Sequence, residues 1–258
     1  MSPDVALRHM PDVLNFKYGT GRRGWTPRLH DRFGYRSPDD WYEATLFHLI
    51  GPETDWLDVG CGRHVFPQNQ KGARHLATTC RLLVGVDPSD NIRDNQIVHE
   101  RAQCVLQDYR TDRRFDLVTM RMVAEHVEDP AAAVAALSRL IRPGGLAVIY
   151  TVAKFSPASL VAAVTPMPVH HVVKRILWGG SEEDTFPVVY RMNTRRELCA
   201  LFRQGGFREV SFAYLDDCRS LAQWWLPAAA ELALWETLRA VGLRYPEACL
   251  LGLYRKEP

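Results

Sequence analysis

The sequence predicts an α/β fold: a doubly wound, seven-stranded, mostly parallel sheet with a helical amino-terminal cap and lid insertions. Three observations carry that expectation. Short apolar runs alternate with helix-length segments across residues 56–152, the rhythm of βαβ units whose helices cover both faces of a sheet. The first run, 56–59, opens straight into a glycine turn at Gly60 and Gly62. The second, 82–86, is closed by Asp87, a carboxylate at the tip of the neighbouring strand.

Residues 1–53 precede this core and are rich in Tyr, Trp, Phe and Arg. Ser37-Pro38-Asp39-Asp40 reads as a helix start, with proline in the first turn and acids at the positive end of the dipole. That helix should run through Trp41, Leu46 and Leu49 and stop at Gly51-Pro52. A helix around 69–80 joins the first two strands. A third strand is expected at 103–107, ending at Asp108, and a fourth at 115–119. The next helix starts at Asp129-Pro130 and continues through an alanine-rich run to Ile141; Pro143-Gly144-Gly145 breaks it before a fifth strand at 146–152. Residues 154–189, with four prolines and adjacent histidines, leave the rhythm and read as an inserted lid. A helix at 194–204 and a strand at 209–214 resume the core. A second helical insertion, 216–246, carries Trp224, Trp225 and Trp235, and a last strand covers 248–255. The whole reads as one domain, with a cofactor core at 54–153 and its carboxyl-terminal part at 190–258.

Composition narrows the function. The chain has 258 residues, with 32 basic and 30 acidic, so no overall field recruits nucleic acid or acidic membranes. Six cysteines show no C-x-x-C pairing and read as small, reduced core residues; no cluster has metal-ligand spacing. The amino terminus lacks an apolar signal region and no run is long enough to span a bilayer, which points to a cytoplasmic protein.

A strand ending in glycines beside a strand ending in Asp87 suits an adenosine cofactor: bare backbone lets the ligand approach, and the carboxylate takes the ribose diol. The nicotinamide fingerprint requires a third glycine, but the turn continues Arg63-His64-Val65-Phe66-Pro67. Asp58 would repel a pyrophosphate and suits an ammonium group, such as that on the tail of S-adenosylmethionine.

On these residues the chain resembles the class I S-adenosylmethionine-dependent methyltransferases. Asp58-Val59-Gly60-Cys61-Gly62 is similar to their first motif and Val84-Gly85-Val86-Asp87-Pro88-Ser89 to their second. Phe115-Asp116-Leu117-Val118 with Glu125-His126-Val127 resembles the fourth-strand signature, and Arg142-Pro143-Gly144-Gly145-Leu146 the turn before the fifth strand. Departures are His64, where the family often has its last glycine, and a longer link from Gly62 to Asp87. The resemblance implies a Rossmann-like sheet with an antiparallel last strand, S-adenosylmethionine as cofactor and S-adenosylhomocysteine as product. It implies cofactor contacts at Asp58, Gly60, Cys61, Gly62, Asp87 and Pro88, an adenine contact at Asp108 or Gln107, and methionyl contacts at Met120 and Arg121.

Methyl transfer is an in-line displacement governed by positioning, so catalytic groups are harder to read than cofactor groups. His126 is a candidate base, with a structural role as the competing reading. His170 and His171 on the lid could meet substrate, and Arg191 could clamp a carboxylate or phosphate. The Asn/Asp-Pro-Pro-Tyr element and the Pro-Cys nucleophile of nucleobase methylation are absent. The expected acceptor is therefore a small molecule (a natural product, sugar or lipid-linked intermediate), with oxygen preferred by analogy. Two alternatives stay open: an RNA methyltransferase using the basic and aromatic segment Lys17 to Arg36, or a cofactor-binding regulator with a degenerate site. Lys174 and Arg175 on 169–178 belong to a lid helix or an interfacial one.

Overall fold

The computed structural model describes residues 3–21, 24–156, 187–219 and 221–258. Most of the expected lid, including His170, His171, Lys174 and Arg175, lies outside them, as do Arg22 and Arg23. Strands β1 (Asp55–Val59), β2 (Leu82–Val86), β3 (Glu100–Ala102), β4 (Phe115–Arg121), β5 (Ile141–Val152), β6 (Phe207–Asp216) and β7 (Glu247–Lys256) form one sheet in the order β3-β2-β1-β4-β5-β7-β6. The first five are mutually parallel, and β7 runs antiparallel to both β5 and β6. Chain order reverses between β1 and β4, which opens a crevice at the carboxyl ends of those strands.

Strand alternation divides the core between two faces. Leu57 and Val59 of β1 join Val118, Met120 and Ile149 on one face, under α5 (Pro130–Leu140) and α6 (Arg195–Gln204). Trp56, Leu83, Leu117 and Tyr150 cover the other, under α3 (Pro38–Leu49) and α4 (Gln70–Thr79). Asp58 falls on the Trp56 side, so a carboxylate is carried into an apolar face by strand period alone. Helix starts follow the sequence signals. Ser37 and Asp40 form a reciprocal capping box with Pro38 inside it, and Asn69, Asp129 and Thr194 cap α4, α5 and α6.

Around this core, α1 (Pro3–Tyr18) packs on α3 through Met10, Val13 and Leu14. A further layer joins α2 (Trp25–Arg32) to α7 (Trp225–Ala240) through Leu29, Tyr35, Leu232 and Trp235.

Two expected boundaries are corrected. The third strand is Glu100–Ala102, paired with Val84–Val86, rather than 103–107. Cys104 N donates back to Ala102 O (3.2 Å) and bends the chain off the sheet edge, so Leu106–Asp108 is a 3-10 turn. The fifth strand begins at Ile141, where α5 ends. The Pro-Gly-Gly stretch is carried as an irregularity opposite Phe115 and Leu117 rather than as a separate turn.

Candidate active site

The crevice begins with backbone. Gly60 N donates to Val86 O (2.7 Å), one rung beyond the end of β1. Gly60 and Gly62 then turn the chain with φ of 73° and 45°, in the left-handed region that favours glycine. A Cβ on Gly60 would lie 2.1 Å from Cγ2 of Val123, so two loops meet here at a distance only glycine permits.

Asp87 locks the turn in place. Its Oδ2 accepts from Gly62 N (2.9 Å) and its Oδ1 from Ser89 N (2.8 Å). Each oxygen keeps acceptor capacity beyond these bonds, which a vicinal diol can use. Asn95, fully buried, fastens the same turn from below: Nδ2 donates to Gly62 O (3.0 Å), and Oδ1 accepts from Ile97 N (3.0 Å) and Val98 N (3.3 Å). The Cys61 thiol fills the space over Gly85, 2.6 Å from where a Cβ there would stand, and burial raises its pKa. Cys61 therefore offers the crevice its backbone and not its sulfur. Pro88 is exposed beside Asp87.

Asp58 is buried, with Oδ1 accepting from Thr119 Oγ1 (2.6 Å), which in turn accepts from Trp56 Nε1 (2.8 Å). Desolvation pushes its pKa up to about 7, against the Thr119 bond and the Arg121 charge, and the Asp87 charge adds to the rise. A carboxylate in this position gains from a cation placed near it and would repel a phosphate. That donor and acceptor set fits a ligand with a diol at one end and an ammonium at the other.

The β4 side is built differently. Met120 turns into the core, so it offers backbone at most. Arg121 Nη2 donates to Asp39 Oδ1 (2.8 Å), while Arg219 donates to Asp39 Oδ2 and grips Asp217 through Nε (2.6 Å) and Nη2 (2.7 Å). These guanidiniums hold the Asp39 carboxyl well below the usual carboxylate range despite burial. Met122 follows at φ 52°, and its N–H donates to Tyr150 O (2.8 Å).

Next, Glu125 accepts from Thr151 Oγ1 (2.7 Å), and burial raises its pKa. Its carbonyl accepts from Val189 N (2.8 Å) and Tyr190 N (3.2 Å). His126 Nδ1 donates to Pro187 O (2.9 Å), and Arg191 donates to the Glu128 carbonyl. The Glu-His pair and Arg191 thus tie the β4 turn to the chain at 187–191.

Of the sequence-predicted residues, Asp58, Gly60, Cys61, Gly62 and Asp87 converge on one crevice. Asp108 stands exposed in the 3-10 turn after β3 rather than at a strand end, and Gln107 is half-buried beside it. The cause is the earlier exit of β3 from the sheet. Among the described residues no three His, Cys, Asp or Glu side chains gather as a metal site, and no helix is long and apolar enough to cross a membrane. Sequence reading missed Asn95, Val123 and the Asp39–Arg219 pair. The last is separated by 180 residues and leaves no local signal.

Order of strands and position of the crevice define a doubly wound α/β protein with a ligand site at its switch point. The chain belongs to the methyltransferase domain family, whose sequence profile matches residues 28–211. It is 32% identical to a ubiquinone biosynthesis O-methyltransferase of Klebsiella pneumoniae over 114 residues, 42% of this chain and 46% of that one. It is 32% identical over 177 residues to the enzyme of that name from Alkalilimnicola ehrlichii, 62% of this chain and 67% of that one. The first of these matches thus spans under half of the relative's length. An S-adenosylmethionine-dependent methyltransferase from Mesorhizobium loti shares the fold, with a TM-score of 0.53 and 20% identity over 84% of this chain and 98% of the other.

Proposed function

We propose that this protein transfers a methyl group from S-adenosylmethionine to an oxygen of a small-molecule acceptor. The observation that carries the reading is the Asp87 carboxylate, locked by Gly62 N and Ser89 N beside a turn of two left-handed glycines. When bound, the cofactor supplies an electrophilic methyl carbon on a sulfonium. Asp87 would hold the ribose diol, the Gly60–Gly62 backbone would lie against the methionyl portion, and ionised Asp58 would balance the tail ammonium, directly or through water. Oxygen as acceptor is supported by the O-methyltransferase names of the relatives.

The residues of the β4 turn close the acceptor side. A carbonyl on Nδ1 sets the His126 tautomer in which Nε2 carries the lone pair, the form a proton acceptor needs. Arg191 spends its guanidinium on the Glu128 carbonyl, which favours a positioning role over direct contact with substrate. The basic segment gives an RNA acceptor only partial support, since Lys17 and Arg36 are held by Asp40 and Asp31 while Arg28 and Arg32 stand exposed.

Incubation with isotopically labelled S-adenosylmethionine and a metabolite extract, followed by mass spectrometry, tests the reading. Label in an O-methylated small molecule is expected. Label in RNA, or cofactor bound and never consumed, would replace it.

A further inference from the structure

The layer of α2 and α7 presents a surface built from none of the residues that form the crevice. A cleft there is lined by Trp25, Arg28, Arg32 and Trp225. Arg28 and Arg32 lie one helical turn apart, exposed, and neither meets a carboxylate among the described residues. Of the acids on the two helices, Asp31 pairs with Arg36 and Glu231 accepts from Tyr245, while Glu236 stands exposed on α7. Beyond the cleft, α7 carries apolar side chains in solvent. Leu226 is 70% exposed, and Leu234 and Val241 follow it along one side of the helix, while Trp225, 52% exposed, faces the cleft on another. Apolar exposure on this scale, bordered by arginines that meet no carboxylate among the described residues, marks a contact surface.

We propose that this surface docks the protein on an anionic phospholipid bilayer. Trp25 and Trp225 would sit at headgroup level, where an indole satisfies both an apolar body and a polar N–H. Arg28 and Arg32 would meet lipid phosphates through their planar donor forks. Leu226 and Leu234 would enter the acyl boundary, which is the contribution a soluble phosphate ligand leaves unexplained. Single-stranded RNA would use the arginines and indoles but gives no reason for the exposed leucines.

Topology places the surface at the working end of the sheet. β6 ends at Asp216 and β7 begins at Glu247, with α7 between them, and β6 runs parallel to β5. The layer therefore stands off the same carboxyl edge as the crevice. Docking there does not depend on the identity of the methyl acceptor.

The test is co-sedimentation of the full chain with vesicles of phosphatidylcholine alone or with about a third of the lipid as phosphatidylglycerol. The chain is expected to bind the anionic vesicles, to bind neutral ones at least tenfold less, and to release as salt is raised. Arg28→Gln and Arg32→Gln should each lower partitioning about fivefold, and Leu226→Glu more than tenfold. Circular dichroism and S-adenosylhomocysteine affinity should stay unchanged in all three, separating docking from folding and from the catalytic reading. Equal binding to both vesicle types, or binding unaffected by these changes, would overturn the proposal. So would a result in which the same variants lose RNA binding or dissociate a dimer while the parent chain ignores vesicles.

Discussion

The two sides of the crevice hold their shape by different means. On the β1–β2 side, backbone N–H groups do the work: Gly60 N on Val86 O, Gly62 N on Asp87, Ser89 N on Asp87. On the β4–β5 side the shape depends on side-chain pairs, Glu125 on Thr151 and Asp39 between Arg121 and Arg219, which lie 82 and 180 residues from it. The first side is drawn from two neighbouring strand ends, residues 58–62 and 86–89. The second is assembled from the cap, β4, β5 and the chain after β6.

The largest effect should come where the two sides touch. Gly60→Ala adds a Cβ 2.1 Å from Val123 in a backbone conformation that L-residues resist. A cost of about 3 kcal/mol or more is expected from strain and overlap together. Thermal unfolding and calorimetry should show lower stability and cofactor affinity down by roughly a hundredfold. Preserved affinity would mean the loops are free to separate.

Asp87→Ala comes next. It removes charge-assisted bonds worth about 1.5–3 kcal/mol each, so cofactor affinity should fall at least tenfold, with Asp87→Asn intermediate. Calorimetry reads this directly.

Asp39→Asn probes the other side. It leaves two half-buried guanidiniums poorly matched, at a cost of about 2 kcal/mol to stability. Acceptor KM should rise more than cofactor Kd. Equal change in both would erase the distinction between the sides. The sign with pH follows from the depressed folded pKa: the stabilisation is present above the unfolded value of about 3.9 and is lost as pH falls. The variant should therefore show a flatter acid limb in urea unfolding.

Asp58 has the opposite sign. Its folded pKa is raised to about 7, so the folded chain holds the proton longer and stability declines as pH rises from about 4 through 7. Binding of a cationic tail favours the ionised form, so affinity for S-adenosylhomocysteine should increase from pH 5.5 to 7.5, by up to about tenfold. Asp58→Asn should abolish that slope. The smallest effect expected is for Arg191→Ala, about 1 kcal/mol of stability from an exposed bond to Glu128 O.

The same division governs what could be read from the sequence. Strand period, the helix signals at Ser37 and Asp129, and the glycine turn are local, and they place β1, β2, β4, α3 and α5 within a residue or two. The positions of Asp87 and Asp58 were legible because strand ends fix where such side chains go. The position of Asp108 was not, because the exit point of an edge strand depends on pairing that covers only three residues of β3. Arg121 was placed correctly at the end of β4, but its partner sits in the cap and no spacing rule connects them. Asn95 looks like an ordinary loop residue until its four bonds to the glycine turn and its own loop are seen.

The most direct measurement is a crystal structure of the chain with S-adenosylhomocysteine. The ribose hydroxyls should lie within hydrogen-bond reach of the Asp87 carboxylate, with the methionyl chain over Gly60 to Gly62 and its amine toward Asp58. A nucleoside bound away from Asp87, or with its amine directed from Asp58 toward Arg121, would contradict the account.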